Sequence, residues 1–404
     1  MDSTVDSTLD GTLDGTVTLV LSPNWLGDAV MALPAIADLK RHAPQTRLVV
    51  AARPSVAALF DLAPVVDDVI TLEWRGRVLS RAGLRADIDR LRQVGARSAV
   101  LLPNSFASAW LAKQAGIPER MGYATDWRSS LLSRAVPRPR ASLHQGAYYQ
   151  HLVGAIGVPV GPLEPRLDVP PEDIAAARTL LESKGWAGST PLVVLAPGAA
   201  YGTAKRWLPR HFATLVTALA SGSLASGPLV SGSLASGSLA SGSLASGSLV
   251  AGGVPGSIGA GVACVLVGGA ADANTTALVR GLVPDQVRAR VFDLAGATSL
   301  RSLAGVLRLA SACVSNDSGA MHLAAAVGAP VVALFGATNE HETAPLAWQG
   351  RPARVLTHPV WCRPCMLREC PIDHRCMKGL EPATVLSAVE QALASAGPML
   401  SSTA

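Results

Sequence analysis

Residues 311 to 322 read Ser-Ala-Cys-Val-Ser-Asn-Asp-Ser-Gly-Ala-Met-His. The apolar residues predict a short buried strand over Cys313 to Ser315, and the alanine-rich run from Met321 to Val327 predicts a helix. The small polar residues Asn316-Asp317-Ser318-Gly319 therefore lie where a strand ends and a helix begins. The unpaired backbone N–H groups of the first helical turn and the positive end of the helix dipole converge at this junction. The junction therefore predicts a phosphate site. The alternative is that one of these side chains merely caps the helix.

A second junction of the same kind lies near the start of the chain, at Pro23-Asn24-Trp25-Leu26-Gly27-Asp28. It separates a strand predicted over Thr16 to Ser22 from a helix predicted over Asp28 to His42, which Pro34 should kink. Two such junctions at opposite ends of one chain favour a ligand site over two ordinary helix caps.

Strand and helix patterns alternate along two parts of the chain, and a proline-rich passage from Pro159 to Pro171 separates them. The pattern predicts two doubly wound α/β domains with parallel sheets, 17–165 and 171–380, and a C-terminal helix over 381–397. Ligands of such sheets bind beyond the carboxyl ends of the strands, so the site is expected in the cleft between the domains. The remaining predicted strands are Arg47 to Ala52, Val69 to Leu72, Ser98 to Leu102, Leu192 to Ala196, Val262 to Val267, Val291 to Leu294 and Val331 to Phe335.

Two low-complexity segments interrupt this pattern. Four tetrapeptides of the type Asp-Ser-Thr-Val follow Met1. They have too little apolar surface to fold alone, which predicts a disordered tail over 1–16. Residues 221–260 hold six pentapeptides of the type Ser-Gly-Ser-Leu-Ala followed by a glycine-rich stretch. Glycine and serine recur too often for a membrane span, so this segment is expected to be a surface insertion.

Composition narrows the class of protein. Hydrophobic residues make up 49% of the 404 residues and charged residues 16%, which suits a globular chain of two domains. The net charge of +5 is mild and aromatic residues are only 4%, which argues against nucleic acid as a partner. The first twenty residues have no basic segment followed by an apolar core, so a cytoplasmic location is expected.

A pair of cations follows a third strand. Lys205 and Arg206 come after the small-residue loop that ends the strand Leu192 to Ala196. They could neutralise a diphosphate, lysine as a point charge and arginine as a forked donor. The alternative is that both are solvated loop cations. Gly268 and Gly269 end a further strand and give a weaker signal for close approach of a ligand.

Four of the six cysteines lie within fifteen residues, as Cys362-x2-Cys365-x4-Cys370-x5-Cys376. Cytosolic chains rarely use structural disulfides, so this spacing predicts a structural zinc or, as the alternative, an iron–sulfur cluster. The other two cysteines, Cys264 and Cys313, lie in apolar runs and are predicted to be core residues.

The motifs resemble those of the ADP-heptose glycosyltransferase family. Three carry the resemblance: Pro-Asn-Trp-Leu-Gly-Asp, Pro-Gly-Ala-x-Tyr-Gly-x-Ala-Lys-Arg-Trp and Asn-Asp-Ser-Gly-x-Met-His. Their order and wide spacing make it specific, and it extends from Val17 to about Leu393 except for the insertion. The resemblance implies the GT-B fold, two Rossmann-like domains facing across a cleft. It also implies transfer of L-glycero-D-manno-heptose from ADP-heptose to the lipopolysaccharide inner core, lipid A-Kdo-heptose, with inversion. Contact with the inner membrane stays open.

The resemblance also implies residue roles. Asp28 would be the general base for the acceptor hydroxyl, and Lys205 would hold the donor diphosphate. Asp317 would bind a heptose hydroxyl, and Ser318 and Gly319 the phosphates. A carboxylate at a helix start should have a low pKa, which would make Asp28 a weak base. Because the two cations and the helix start supply positive charge, no catalytic metal is expected.

Two other functions remain open from the sequence. A different GT-B nucleotide-sugar transferase of cell-envelope glycan synthesis would share the phosphate-binding features and differ in its base and sugar contacts. A non-catalytic metal-binding protein built on the cysteine cluster would leave Asp28 and Lys205 without a role.

Overall fold

A computed structural model of the chain describes residues 17–73, 81–222, 261–346, 348, 351 and 353–395. The predicted tail 1–16 lies outside the described residues, as does the predicted insertion except for Ser221 and Gly222. Ser221 is the last residue of a helix, and Gly222 caps it in the left-handed conformation (φ 69°). The insertion therefore begins at the end of a helix.

The first domain is a six-stranded parallel sheet with helices on both faces, in the strand order β3-β2-β1-β4-β5-β6. Its strands are β1 (Val17–Leu21), β2 (Arg47–Ala52), β3 (Asp68–Thr71), β4 (Ser98–Leu101), β5 (Glu119–Tyr123) and β6 (Arg134–Val136). Its helices are α1 (Leu26–Met31), α2 (Leu33–His42), α3 (Pro54–Phe60), α4 (Arg81–Gln93), α5 (Phe106–Gln114) and α6 (Gln145–Ala155).

The second domain repeats this topology in a second parallel sheet, in the order β9-β8-β7-β10-β11-β12. Its strands are β7 (Leu192–Ala196), β8 (Ala263–Leu266), β9 (Val291–Asp293), β10 (Ala312–Asn316), β11 (Val331–Phe335) and β12 (Ala353–Thr357). Its helices are α7 (Pro171–Ser183), α8 (Pro209–Ser221), α9 (Ala273–Leu282), α10 (Asp285–Arg288), α11 (Leu300–Leu309), α12 (Gly319–Ala326), α13 (Glu340–Thr343), α14 (Arg375–Lys378) and α15 (Pro382–Ser395).

The two parallel sheets predicted from the sequence are confirmed, and every predicted strand is present within two residues of its expected ends. The helix predicted over Asp28 to His42 begins earlier, at Leu26, and is divided into α1 and α2 at Ala32. The reason is Pro34, which has no N–H to continue the helix and is accepted only in the first turn of α2.

Both sheets have a switch point where the strand order reverses, between β1 and β4 in the first and between β7 and β10 in the second. The central strands are buried on both faces, which explains their nearly continuous runs of valine, leucine and alanine. Cys264 in β8 and Cys313 in β10 are buried core residues, as predicted, and burial raises the pKa of each thiol to about 12. Among the described residues no helix is long and apolar enough to cross a membrane.

Hydrogen bonds and apolar packing, in addition to the connecting segment, hold the two domains together. In the connecting segment, the Leu167 N–H donates to the Ala326 carbonyl of α12 (3.1 Å), and the Asp168 N–H donates to the Leu62 carbonyl of the first domain (2.9 Å). One buried apolar cluster includes residues of both domains, among them Met31 and Met321.

The helices α1 and α12 pack on each other where the domains meet. A Cβ atom added to Gly319 would lie 2.8 Å from Leu26 Cβ, and one added to Gly27 would lie 2.8 Å from His322 Cδ2. Glycine at both positions therefore allows the beginnings of these two helices to pack directly on each other.

Replacing Gly319 tests this contact. We expect Gly319→Ala to lower the free energy of unfolding by about 1 to 3 kcal/mol, because the added methyl collides with a Cβ atom that cannot rotate away. Gly281→Ala in α9 is the matched control, since nothing lies within 4 Å of its added Cβ; it should stabilise by about 0.5 to 1 kcal/mol. Denaturant unfolding of both variants measures the difference, and equal stability of the two would contradict the close packing.

Candidate functional site

The candidate site residues follow the strands that flank the two switch points. Asp28 lies in the first turn of α1, just after β1. Lys205 follows β7, and Asp317 follows β10. The carboxyl ends of these strands face the contact between α1 and α12, so residues far apart in the sequence meet in one place.

Asp28 is largely buried where the domains meet, and its pKa is raised to about 6. Burial is the main cause, since it disfavours the charged carboxylate; Asp317 raises the pKa further and Lys205 opposes both. The low pKa expected from the helix start is therefore wrong, because loss of solvent outweighs the helix dipole at this position. A carboxylate with a raised pKa is a stronger base than an ordinary aspartate.

Lys205 and Asp317 form a buried ion pair, with 2.6 Å between Lys205 Nζ and Asp317 Oδ2. The Thr338 hydroxyl, which follows β11, donates to the same carboxylate oxygen at 2.6 Å. Only 14% of the Lys205 side chain and 5% of the Asp317 side chain are exposed. The interpretation of Lys205 as a solvated surface cation is thus wrong: its ammonium group is held in place beside Asp28.

A second set of contacts fixes the loop that carries Lys205. The Lys205 ammonium lies 4.8 Å from the centre of the Tyr201 ring, and the Tyr201 hydroxyl donates to the Met366 carbonyl at 3.1 Å. The Ala204 N–H donates to the Arg368 carbonyl at 3.0 Å. A Cβ atom on Gly202 would lie 2.1 Å from that carbonyl oxygen, so the two loops are in direct backbone contact.

Residues 366 and 368 belong to the cysteine-rich segment 361–378, which therefore packs on the lysine loop. The same segment contacts the loop after β11, where Arg363 donates to the Gly336 carbonyl (3.0 Å) and forms an ion pair with Glu340 (2.5 Å). The segment thus contacts the loops that carry Lys205 and Thr338.

The junction at Ser318 differs from a simple cap. Ser318 is the N-cap residue of α12, but no cap hydrogen bond forms from its side chain; its hydroxyl lies 3.0 Å from that of Ser315. The Asp317 carboxylate is occupied by Lys205 and Thr338. Neither side chain caps the helix, which removes the simpler interpretation. Gly319 packs against Leu26, and its predicted phosphate contact stays a prediction.

Arg206 points to a different part of the cleft from Lys205. Its Nη2 donates to the Ala199 carbonyl at 3.2 Å and lies 4.0 Å from Asp272 Oδ1, while its buried Nε has no partner. Asp272 fills the space beside Gly198, where an added Cβ atom would lie 2.3 Å from its carboxyl carbon. Lys205 and Arg206 are adjacent in sequence but contact different loops. Lys205 contacts the loop after β10, and Arg206 lies beside the loop after β8.

Sequence reasoning missed His322 and Thr338. His322 is buried in α12 against Gly27, its Nδ1 has no hydrogen-bond partner, and burial lowers its pKa to about 4, so it is neutral. A histidine among alanines on an apolar helix was the available signal. Thr338 gave no signal, because its partner Asp317 is 21 residues away in sequence.

The expectation of metal-free catalysis also took the chain to have no Asp-x-Asp triplet, the motif with which metal-dependent sugar transferases hold a divalent ion. That is wrong, because Asp87-Ile88-Asp89 is such a triplet. In α4, Asp87 forms an ion pair with Arg90 at 2.9 Å, and Asp89 forms one with Arg92 at 2.8 Å. Each carboxylate has an arginine partner on its own helix, which is the arrangement of helix-stabilising pairs.

The four clustered cysteines are free thiols; Cys376 is buried and the other three are half-buried. The His374 N–H donates to Cys370 Sγ at 3.3 Å. Within the described part of the chain, no three histidine, cysteine or acidic side chains are arranged to hold a metal ion. The zinc site stays a prediction from the spacing.

Known proteins resemble this chain over most of its length. The sequence pattern of the family described as glycosyltransferase family 9 (heptosyltransferase) matches residues 85–225 and 257–375. Lipooligosaccharide heptosyltransferase 2 of Haemophilus influenzae is 28% identical over 346 residues, which cover 84% of this chain and 88% of that protein. Lipopolysaccharide heptosyltransferase 2 of Escherichia coli is 27% identical over 349 residues, with the same coverage.

Solved structures agree. The structure of E. coli ADP-heptose lipopolysaccharide heptosyltransferase II superposes with a TM-score of 0.72 at 26% identity, covering 93% of this chain and 98% of the other. A glycosyl transferase family 9 structure from Veillonella parvula has a TM-score of 0.74 at 19% identity, covering 96% and 99%, and shows the fold alone.

The raised pKa of Asp28 predicts a stability change on Asp28→Asn. Above pH 6 the folded chain bears the cost of a buried carboxylate, and the amide removes it, so the variant should be more stable by about 1 to 3 kcal/mol at pH 8. As the pH falls through about 6 towards 4, the carboxyl is protonated in the folded and then in the unfolded chain, and the difference should vanish. Denaturant unfolding at pH 8 and pH 4 measures it; a destabilised variant at pH 8 would contradict the assigned cause.

The cysteine spacing predicts a bound metal. We expect elemental analysis of the purified chain to find about one zinc per chain, and Cys362→Ser with Cys365→Ser to abolish it. Cys264→Ser is the control, because that thiol lies in the core of β8. Metal-free native protein with four titratable thiols would reject the site, and iron instead of zinc would select the alternative.

Proposed function

The chain belongs to glycosyltransferase family 9 and is a heptosyltransferase, and we infer that it moves L-glycero-D-manno-heptose from ADP-heptose to the inner core of lipopolysaccharide, with Asp28 as the base. We propose lipid A-Kdo-heptose as the acceptor and the cytoplasmic face of the inner membrane as the place of reaction. One observation supports these roles above all: the buried group of Asp28, Lys205 and Asp317, at the switch points of both sheets.

The reaction proposed is a single displacement. The acceptor hydroxyl oxygen forms a bond to the anomeric carbon while the bond from that carbon to the β-phosphate oxygen breaks, and ADP leaves with the electron pair. Attack from the face opposite the leaving group inverts the anomeric carbon. Asp28 accepts the hydroxyl proton, for which its raised pKa is better suited than an ordinary carboxylate.

Lys205 is proposed to stabilise the departing diphosphate. Its ammonium has three N–H donors, and Asp317 accepts one of them in the free enzyme, so the others remain for phosphate oxygens. A buried ammonium acts in surroundings of low dielectric, where its attraction for developing charge is larger than in water. The beginning of α12 at Ser318 adds N–H groups and the helix dipole.

Asp317 is proposed to exchange partners when the donor binds. Its carboxylate keeps the Thr338 hydroxyl and accepts a heptose hydroxyl as Lys205 turns towards the diphosphate. The free enzyme thus holds the two charged groups against each other until the substrate supplies oppositely charged or hydrogen-bonding partners. An ion pair at this depth is stable only with such compensation.

A different GT-B nucleotide-sugar transferase remains the alternative for the donor. Binding of ADP-heptose, UDP-sugars and GDP-sugars measured by calorimetry distinguishes them, and tighter binding of a uridine or guanosine donor would reject the ADP-heptose assignment.

The role of Asp28 predicts a separation of turnover from binding. Asp28→Ala should lower kcat by about a hundred to ten thousand fold and leave ADP-heptose affinity within a few fold. In the wild type, kcat/KM should fall as the pH drops below about 6, because the base must be deprotonated in the free enzyme. An assay of ADP release with a defined core acceptor measures both; more than about a tenth of wild-type turnover in the variant would contradict the role.

The role of Lys205 predicts a loss of donor affinity. Lys205→Met, which keeps much of the side-chain length, should weaken ADP binding by about 1.5 to 3 kcal/mol, the usual value for a hydrogen bond to a charged group. Arg210→Met is the control, since Arg210 is an exposed residue of α8. Unchanged ADP affinity in calorimetry would overturn the assignment. Because the positive charge comes from protein groups, EDTA should leave turnover intact; if magnesium restores activity lost in EDTA, metal-free catalysis is wrong.

A further inference from the structure

Trp127 is the most exposed large apolar side chain of the described residues, with 95% of its surface in contact with solvent. It follows β5 in an unusual backbone conformation: Asp126 and Trp127 are consecutive left-handed residues, with φ of 51° and 57°. Neither is glycine, and a bulky residue in this region is strained. The loop therefore keeps a strained backbone, and in this conformation the Trp127 indole is exposed to solvent.

Specific hydrogen bonds hold the loop in this strained form. The Asp126 carboxylate accepts the Phe106 N–H at 2.6 Å. Arg128, on the other side of Trp127, is fully buried and donates to the Tyr123 carbonyl at 2.9 Å and to the Ser108 hydroxyl at 3.0 Å. The residues on both sides of the tryptophan are anchored, so its projection is built into the loop.

Other exposed aromatic and basic residues lie at the same edge of the first sheet. Trp25 follows β1 and is 59% exposed, and Phe106 follows β4 and is 44% exposed. Arg138 and Arg140 are exposed and follow β6. Because all four strands are parallel, these residues lie at their common carboxyl edge. We call Trp25, Phe106, Trp127, Arg138 and Arg140 the aromatic rim.

We propose that the aromatic rim docks the first domain on an anionic phospholipid leaflet, the surface in which the acceptor is anchored. The proposal rests on the proposed function, since a lipopolysaccharide precursor is held in a membrane by its lipid. Tryptophan favours the interface between headgroups and acyl chains, and arginine is attracted by the negative surface potential of anionic lipids. The rim lies at the edge of the cleft that contains Asp28, so docking would bring the acceptor headgroup to the base.

The shape of the rim favours a membrane over a sugar ligand. Ligand sites are concave and surround most of what they bind. The pocket at this edge of the sheet is lined by Asn24, Arg53 and Ser105, among others, and Trp127 is not part of its wall. A side chain that is 95% exposed has no opposing wall to complete a sugar site.

Co-sedimentation with vesicles tests docking directly. The full chain should bind vesicles of phosphatidylethanolamine and phosphatidylglycerol and bind vesicles of phosphatidylcholine much more weakly. Trp127→Asn keeps the left-handed backbone, which asparagine tolerates, and should weaken binding by about tenfold. Arg138→Ser with Arg140→Ser should weaken it by about 25-fold, about fivefold for each arginine. Trp361→Asn, which removes a tryptophan that is 78% exposed in the other domain, is the control and should bind as the wild type.

Activity with two acceptors separates docking from sugar binding. For an acceptor embedded in the anionic vesicles, Trp127→Asn should raise KM about tenfold with little change in kcat; for the same core oligosaccharide without lipid, it should change neither. Failure of the wild type to sediment with anionic vesicles, or equal sedimentation of Trp127→Asn and Trp361→Asn, would overturn the proposal. An equal loss with the lipid-free acceptor would show that Trp127 contacts sugar and would also overturn it. Absence of heptose transfer by the wild type to either acceptor would instead reject the proposed function, while sedimentation would still decide docking.

Discussion

The direct packing of α1 on α12 is the constraint on which the site depends. It joins the switch point of one sheet to that of the other, and it is possible because Gly27 and Gly319 have no side chains at the points of contact. His322 fills the space opposite Gly27, and Leu26 lies against Gly319. A side chain at either glycine would collide with the facing helix, next to the place where Asp28, Lys205 and Asp317 meet.

The same packing explains the electrostatics of the site. Asp28 loses solvent without gaining a hydrogen-bonded partner of its own among the described contacts, so its pKa rises to about 6. Lys205 and Asp317 are also removed from solvent, but their opposite charges attract each other and offset the cost of burial. The Thr338 hydroxyl donates a further hydrogen bond to the Asp317 carboxylate. One acid without a hydrogen-bonded partner thus lies beside one compensated ion pair. Active sites commonly hold groups in the protonation states that their reaction requires, at a cost in stability.

Other segments of the fold support this centre from both sides. In the second domain, the Met366 and Arg368 carbonyls of the cysteine-rich segment accept hydrogen bonds from the Tyr201 hydroxyl and the Ala204 N–H of the lysine loop. The position of Lys205 therefore depends on a segment more than 150 residues later in the chain. In the first domain, buried Arg128 ties the loops after β4 and β5 together and sets the edge of the cleft. The acceptor side and the donor side are thus fixed by separate sets of contacts, and α1 and α12 bring them together.

The sequence by itself determined the two parallel α/β domains, since apolar runs of strand length alternating with helical patterns have few other solutions. It also singled out Asp28, Lys205 and Asp317, because each lies in a junction that follows an apolar strand and belongs to one of the three motifs that carry the family resemblance. The sequence could not determine how these residues interact in the folded chain. The pairing of Lys205 with Asp317 joins residues more than 100 positions apart, and the hydrogen bond from Thr338 to Asp317 joins residues 21 positions apart. The neutral state of His322 and the raised pKa of Asp28 depend on burial. The local sequence pattern does not indicate how much solvent contact a side chain loses when the chain folds. Only the tertiary structure decided that the helix dipole at Asp28 would be outweighed by desolvation.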